Sequence, residues 1–198
     1  MFKNCKTKQS ISRQKTIELW FLNLLRTKYY EDITVSEICE ATNVPRKAFY
    51  RYFSCKEGLL HALIKHNLES YQDYYKTFNL SSRTVKGELS CYFAFWKTEP
   101  IKTMLDVLDK NSLLGHLFKF SRETSSSSFI NMEKFFPNET PWHREQILNF
   151  TIQGLQSLML DWYYSGFKKS TEEMASIACR MLQEPLFPSL EKYGIAKN

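Results

Sequence analysis

Residues 34–56 read TVSEICEATNVPRKAFYRYFSCK, and the fold follows from how that stretch is divided. Thr34 and Glu37 stand three apart, the capping-box spacing that satisfies free N–H groups at a helix start. Behind them Ile38 and Cys39 point to a small core, and Ala41 is small enough for a second helix to cross nearby. Asn43 falls where the chain must turn, and Asn tolerates the left-handed conformation better than most non-glycine residues. Pro45 has a φ suited to the first turn of the next helix and lacks an N–H that would go unpaired there. In that helix Phe49 and Phe53 share a face at i, i+4, leaving Arg46, Lys47, Tyr50 and Arg51 to other faces. Ser54 and Glu57 repeat the capping-box spacing and open a long helix. The pattern predicts a helix, a tight turn, and a basic, tyrosine-bearing second helix: a helix-turn-helix.

Working outward, the first helix is expected from about Ser10 to Lys28, with Ile17, Trp20, Phe21, Leu24 and Leu25 on one face. The helix opened at Ser54 runs to about Phe78 with Leu59, Leu60, Leu63, Ile64 and Leu68 inward, long enough to carry a shift from one end to the other. Residues 79–85 are a polar break. Lys86 to Glu99 reads as an aromatic-rich helix stopped by Pro100, with shorter helices over 101–108 and 114–122. Residues 123–129, ETSSSSF, read as a loop or as partly crossed by a helix. Thr140 before Pro141 starts a helix that Gly166 ends, burying Ile147, Phe150, Leu155, Leu158, Met159 and Trp162. Ser170 and Glu173 form a further capping box, and a last helix reaches about Gln183. No strand-like alternation of useful length occurs. The predicted class is all-α.

Charge sharpens this picture. The chain of 198 residues carries a net +6 and is 43% hydrophobic, 15% aromatic and 24% charged, which excludes a disordered polymer and permits a real core. Residues 1–60 hold eleven Lys/Arg against six Asp/Glu, and the remainder holds sixteen against fifteen. Nearly all the excess positive charge therefore lies with the helix-turn-helix, where a phosphate backbone would draw it. The five cysteines form no CxxC or Cys/His cluster and read as free thiols of a reducing cytoplasm. No apolar run approaches a membrane span. His61, His66, His116 and His143 are scattered, and no HExxH, GxSxG, P-loop or paired-carboxylate arrangement is present, so no enzyme is expected.

The run ITVSEICEATNVPRKAFYRYFSCKEGLL, with IELWFLNLLRTKYYED before it, resembles the DNA-binding signature of the TetR (tetracycline-repressor-like) family of transcriptional regulators. Asn43 stands where that family usually has glycine. The C-terminal run FTIQGLQSLMLDWYYSGFKKSTEEMASIACRML is similar to regulators of the dihydroxyacetone-utilisation type, through Gly154, Trp162, Gly166 and the amphipathic helix beyond them. The resemblance implies a DNA-binding head (residues 1–55) and a helical regulatory and dimerisation domain (56–198) beginning with the connecting helix. It implies a homodimer, by default a repressor, that binds double-stranded operator DNA and answers to a small-molecule or protein effector in the C-terminal domain. A helical scaffold or coregulator working mainly through a protein partner is the alternative.

On this basis Arg46 and Lys47 are expected at base edges, Ser36 at a base or phosphate, and Thr34, Tyr50, Tyr52 and Lys56 at phosphates. The implied effector pocket draws on Tyr92, Phe93, Trp96, Phe118, Met159 and Trp162; aromatics at helical spacing are also ordinary core. The implied dimer surface draws on Gly154, Leu155, Leu158, Trp162, Met174, Ile177 and Met181. No cofactor, metal or membrane is expected.

Overall fold

The computed structural model describes residue 2 and residues 7–78, 84–125 and 137–183. Among these residues there are nine α-helices and no strand: α1 (Lys8–Thr27), α2 (Val35–Thr42), α3 (Arg46–Tyr52), α4 (Lys56–Thr77), α5 (Val85–Trp96), α6 (Glu99–Lys110), α7 (Leu114–Ser125), α8 (Pro141–Tyr164) and α9 (Thr171–Gln183). A short 3-10 turn, η1 (Tyr30–Asp32), joins α1 to α2. The helices form two compact units. The first holds α1 to α3, most of α4, α6 and α7; the second holds the last turn of α4 with α5, α8 and α9.

In the first unit, α1 starts earlier than its apolar pattern suggests because Thr7 and Ser10 cap each other reciprocally. Its buried face is Gln14, Ile17, Glu18, Phe21 and Leu25, whereas Trp20, expected inward, is 45% exposed. Glu18 is buried because His66 of α4 meets it, with Nδ1 2.9 Å from the carboxylate. Leu59, Leu60, Leu63 and Ile64 of α4 and Met104, Leu105 and Leu108 of α6 complete a core of fully buried side chains, each contributing about 1.5–3 kcal/mol. Pro100 does not stop α5. That helix ends at Trp96, and Pro100 sits in the first turn of α6, where its missing N–H costs nothing.

In the second unit, Thr140 caps α8 by accepting the His143 amide, with Pro141 at the first position. Gly166 turns the chain out of α8 at φ +72. Ser170 and Glu173 cap α9 reciprocally, which holds the Glu173 carboxyl below its usual range through the Ser170 amide. Helix α9 packs chiefly on α5, and its Met174, Ala175 and Ala178 are buried. Trp162 is enclosed by Phe93 and Phe167, its ring centroid 5.7 and 4.8 Å from theirs, and its indole N–H donates to the Lys169 carbonyl at 3.0 Å. Phe150, expected in the core, is 70% exposed.

Candidate nucleic-acid interface

The reading head is built by local chemistry at three points. Thr34 Oγ1 accepts the Glu37 amide at 3.2 Å and starts α2. The return half of the expected capping box is missing, because the Glu37 carboxylate pairs instead with the Lys28 ammonium, which holds it below its usual range. At the other end Asn43 is left-handed (φ 49, ψ 41). Its amide reaches the Glu40 carbonyl and that of Val44 the Cys39 carbonyl, at 3.1 and 2.9 Å, the paired bonds of a Schellman turn. Pro45 then caps α3 through its carbonyl, which accepts from Ala48 and Phe49 at 2.7 and 3.0 Å. It stands one position before the helix rather than within its first turn.

With the turn fixed, α3 divides by face. Phe49 and Phe53 are fully buried, with ring centroids 5.3 Å apart, and Ala48 lies beside them. Arg46, Lys47, Tyr50 and Arg51 are exposed. This leaves two adjacent cations and a phenol on an unburied face, each able to reach outward. Cys39 is buried beneath, its thiol pushed up by desolvation, and is an inert core residue. Ser36 is half-buried in the first turn of α2 and Thr34 is exposed.

Two of the expected DNA contacts are placed differently. Tyr52 is only 9% exposed and packs against Phe53 at 6.2 Å, so its ring belongs to the head's core. Lys56 turns inward: Nζ donates to the carbonyls of Tyr30 (2.5 Å) and Ile33 (2.8 Å), touches that of Glu31 at 3.4 Å, and lies 4.2 Å from the Tyr30 ring centre. Its charge is spent holding η1 closed. Burial first, then the fields of Glu57 and Glu31, pushes the Tyr30 phenol up to about 12. Cys55, not Ser54, precedes α4, and its thiol is held low mainly by the Gly58 amide.

A residue that sequence reasoning missed secures this junction. Asn111, just past α6, accepts the Tyr30 amide at 2.6 Å and donates to the Leu25 carbonyl at 3.2 Å. Lys110 beside it donates to the Arg26 carbonyl at 2.6 Å. An Asn at a helix end reads only as a turn signal, and nothing local marks its partners more than 80 residues away.

The expected effector residues divide between the units. Phe93, Trp96, Met159 and Trp162 are buried in the second, with Tyr92 packed edge-on against Phe93 and Trp96; Phe118 belongs to the first. Burial pushes the Tyr92 phenol well up, against a smaller opposite pull from the Trp96 side chain beside it. Of the expected dimer residues, Trp162 and Met174 are 2% and 3% exposed and serve the unit's own core. Gly154 and Met181 are exposed, and Leu155, Leu158 and Ile177 are half-buried. No helix among the described residues is long and apolar enough to cross a membrane.

Three comparisons bear on this head. Residues 22–63 match the family described as bacterial regulatory proteins, tetR family. Over 72 residues the chain is 33% identical to the HTH-type dhaKLM operon transcriptional activator DhaS of Lactococcus lactis subsp. lactis (strain IL1403), an alignment covering 34% of this chain and 38% of that protein. The chain thus spans well under half the length of that relative. The solved structure of a dihydroxyacetone kinase operon activator DhaS superposes with a TM-score of 0.54 at 18% identity, covering 87% of this chain and 94% of the other, which is a likeness of fold. The matched span holds the C-terminal end of α1, all of α2, the turn, α3 and the start of α4, so the part of this chain that is similar to the tetR family of bacterial regulatory proteins is its helix-turn-helix head.

Proposed function

We propose that the protein is a sequence-specific, DNA-binding transcriptional regulator that acts as a homodimer, with α3 of each copy in a major groove of a two-fold operator. The observation that carries this reading is the outward face of α3, where Arg46 and Lys47 stand exposed beside Tyr50 on a helix pinned from behind by Phe49 and Phe53. Arg46 and Lys47 read base edges, most simply guanine O6 and N7. Tyr50, Thr34 and Ser36 hold phosphates or neighbouring bases, and Lys56 supports the junction behind them. The functional boundary stays at residue 55, with the regulatory part beginning at α4.

Dimerisation is proposed through α8 and α9. Phe150, Gly154, Ser157 and Tyr164 run along one exposed face of α8, and Met181 and Leu182 stand exposed at the end of α9. A Cβ at Gly154 would meet nothing among the described residues within 4 Å, which suits close approach by a second copy. Leu155, Leu158 and Ile177 flank this surface. An effector in the second unit would meet the polar atoms of Tyr92 and Trp96 among Phe93, Met159 and Trp162. It would act by favouring one arrangement of the two heads.

Repression is the sign we assign by default. Activation is the second reading, favoured by the name of the curated relative. A reporter fused to the bound promoter separates them: loss of the gene raises transcription under the first and lowers it under the second. The proposal as a whole is tested with purified protein and duplex fragments from its own upstream region. Tight, salt-dependent binding to one fragment, lost on Arg46→Ala with Lys47→Ala, supports it. Equal weak binding to every fragment, unchanged in that variant, would remove α3 as the working surface.

A further inference from the structure

We propose that Glu57, His61 and His116 form a binding site for one divalent transition-metal ion of the zinc class. Glu57 and His61 stand at i, i+4 on one face of α4, and His116 lies in the first turn of α7, all within the first unit. One carboxylate oxygen and one nitrogen from each imidazole lie within 4.8 Å of one another. His61 Nε2 is 3.4 Å from Glu57 Oε1, close to the ~3.3 Å edge of a tetrahedron with ~2.0–2.1 Å metal–ligand bonds. Small side-chain rotations bring in the third donor.

A second observation points the same way. His61 Nε2 and His116 Nδ1 are both buried and have no hydrogen-bond partner among the described residues. Buried imidazole nitrogens are ordinarily paired, and an ion held between the two rings and the carboxylate would supply a partner. The Phe120 ring packs edge-on against His61 at 4.5 Å and fixes its plane.

Two imidazoles and one carboxylate suit zinc and its first-row neighbours, whereas magnesium and calcium prefer all-oxygen shells. The Glu57 side chain is 53% exposed, which leaves an entry path and room for water at a fourth position. The positive field of Lys119 at His61 works against a dication, so a single carboxylate sets a moderate affinity. A bound ion would tie the first turn of α4 to the first turn of α7. His66, the other histidine of α4, is already committed to Glu18 and takes no part.

The test uses the full chain freed of metal by chelation and titrated with Co(II), then Zn(II). The expected result is one equivalent of Co(II) with the visible absorption of a low-coordinate N/O site, displaced by zinc. Glu57→Gln, which alters an exposed carboxylate and leaves the core alone, lowers affinity at least about tenfold, as does His116→Ala. His143→Ala, on the Glu139-paired histidine of the second unit, leaves it unchanged. No stoichiometric absorption in the parent protein would overturn the proposal. So would equal affinity in the parent, Glu57→Gln and His116→Ala proteins.

Discussion

Lys56→Met separates a phosphate-binding lysine from one that builds the head. Met keeps most of the aliphatic stem and removes the ammonium. In the structure that ammonium makes two short bonds, to the Tyr30 and Ile33 carbonyls, and covers the Tyr30 ring. A hydrogen bond to a charged group contributes about 1.5–3 kcal/mol. Because the lysine is only half-buried, the lower end applies to each bond, and the cation–π contact adds about 0.5–1 kcal/mol. The 3.4 Å contact to Glu31 adds little. The loss is therefore about 3.5–4 kcal/mol, which at this chain length lowers the thermal midpoint by roughly 7–16 °C. Thermal unfolding followed by circular dichroism reads it, with Lys47→Met as the exposed control, whose stability should stay within about 0.5 kcal/mol. The reasoning is refuted if Lys56→Met unfolds like the parent while its DNA affinity loses about one unit of salt slope, the mark of a single phosphate contact.

Other consequences follow from the same structure. Asn43→Gly should be neutral or stabilising by up to about 1 kcal/mol, and Asn43→Val should cost about 1–2 kcal/mol, because φ 49 is open to glycine and hostile to a β-branched residue; urea midpoints decide it. Phe150→Asp should dissociate the proposed dimer while leaving helicity intact. The residue is 70% exposed in the single chain, and a two-fold interface counts its loss of about 1.5–3 kcal/mol twice, about a hundredfold or more in dissociation constant by light scattering. Tyr30 predicts an alkaline effect. The unfolded phenol ionises near pH 10 and the folded one near about 12. Its contribution is thus complete below pH 10 and lost as pH rises from there toward 12. The stability gap between parent and Tyr30→Phe should narrow across that window, and a constant gap would contradict the assignment.

How much of this was legible in the sequence depended on how far away the deciding partner lay. The helix-turn-helix could be read because Thr34, Asn43, Pro45 and the Phe49/Phe53 pair act on neighbours within a turn or two. Where a distant group competed, the local reading failed. Glu37 left its cap for Lys28, nine residues away, and Lys56 left the surface for carbonyls more than twenty residues back. Periodicity marked α8 as apolar but could not say which of its faces the unit would use, so Phe150 was assigned inward and Trp162 both to the buried face and to the dimer surface. Spacing along the chain left His61, His66 and His116 scattered, whereas folding pairs His66 with Glu18 and brings His116 from α7 to His61. Asn111 carried no signal of its long-range role, since the Tyr30 amide and the Leu25 carbonyl that it holds lie more than 80 residues back.

The central claim is that α3 reads sequence through Arg46 and Lys47. Its most direct test is the affinity ratio between the operator and a scrambled duplex of equal length, measured at several salt concentrations for the parent and for Arg46→Ala. The account predicts a parent ratio of at least about a thousandfold. It predicts that Arg46→Ala costs about 1–3 kcal/mol on the operator and relaxes preference at one base pair per half-site, with scrambled DNA much less affected. A parent ratio near one, or an Arg46→Ala protein that discriminates as well as the parent, would contradict it.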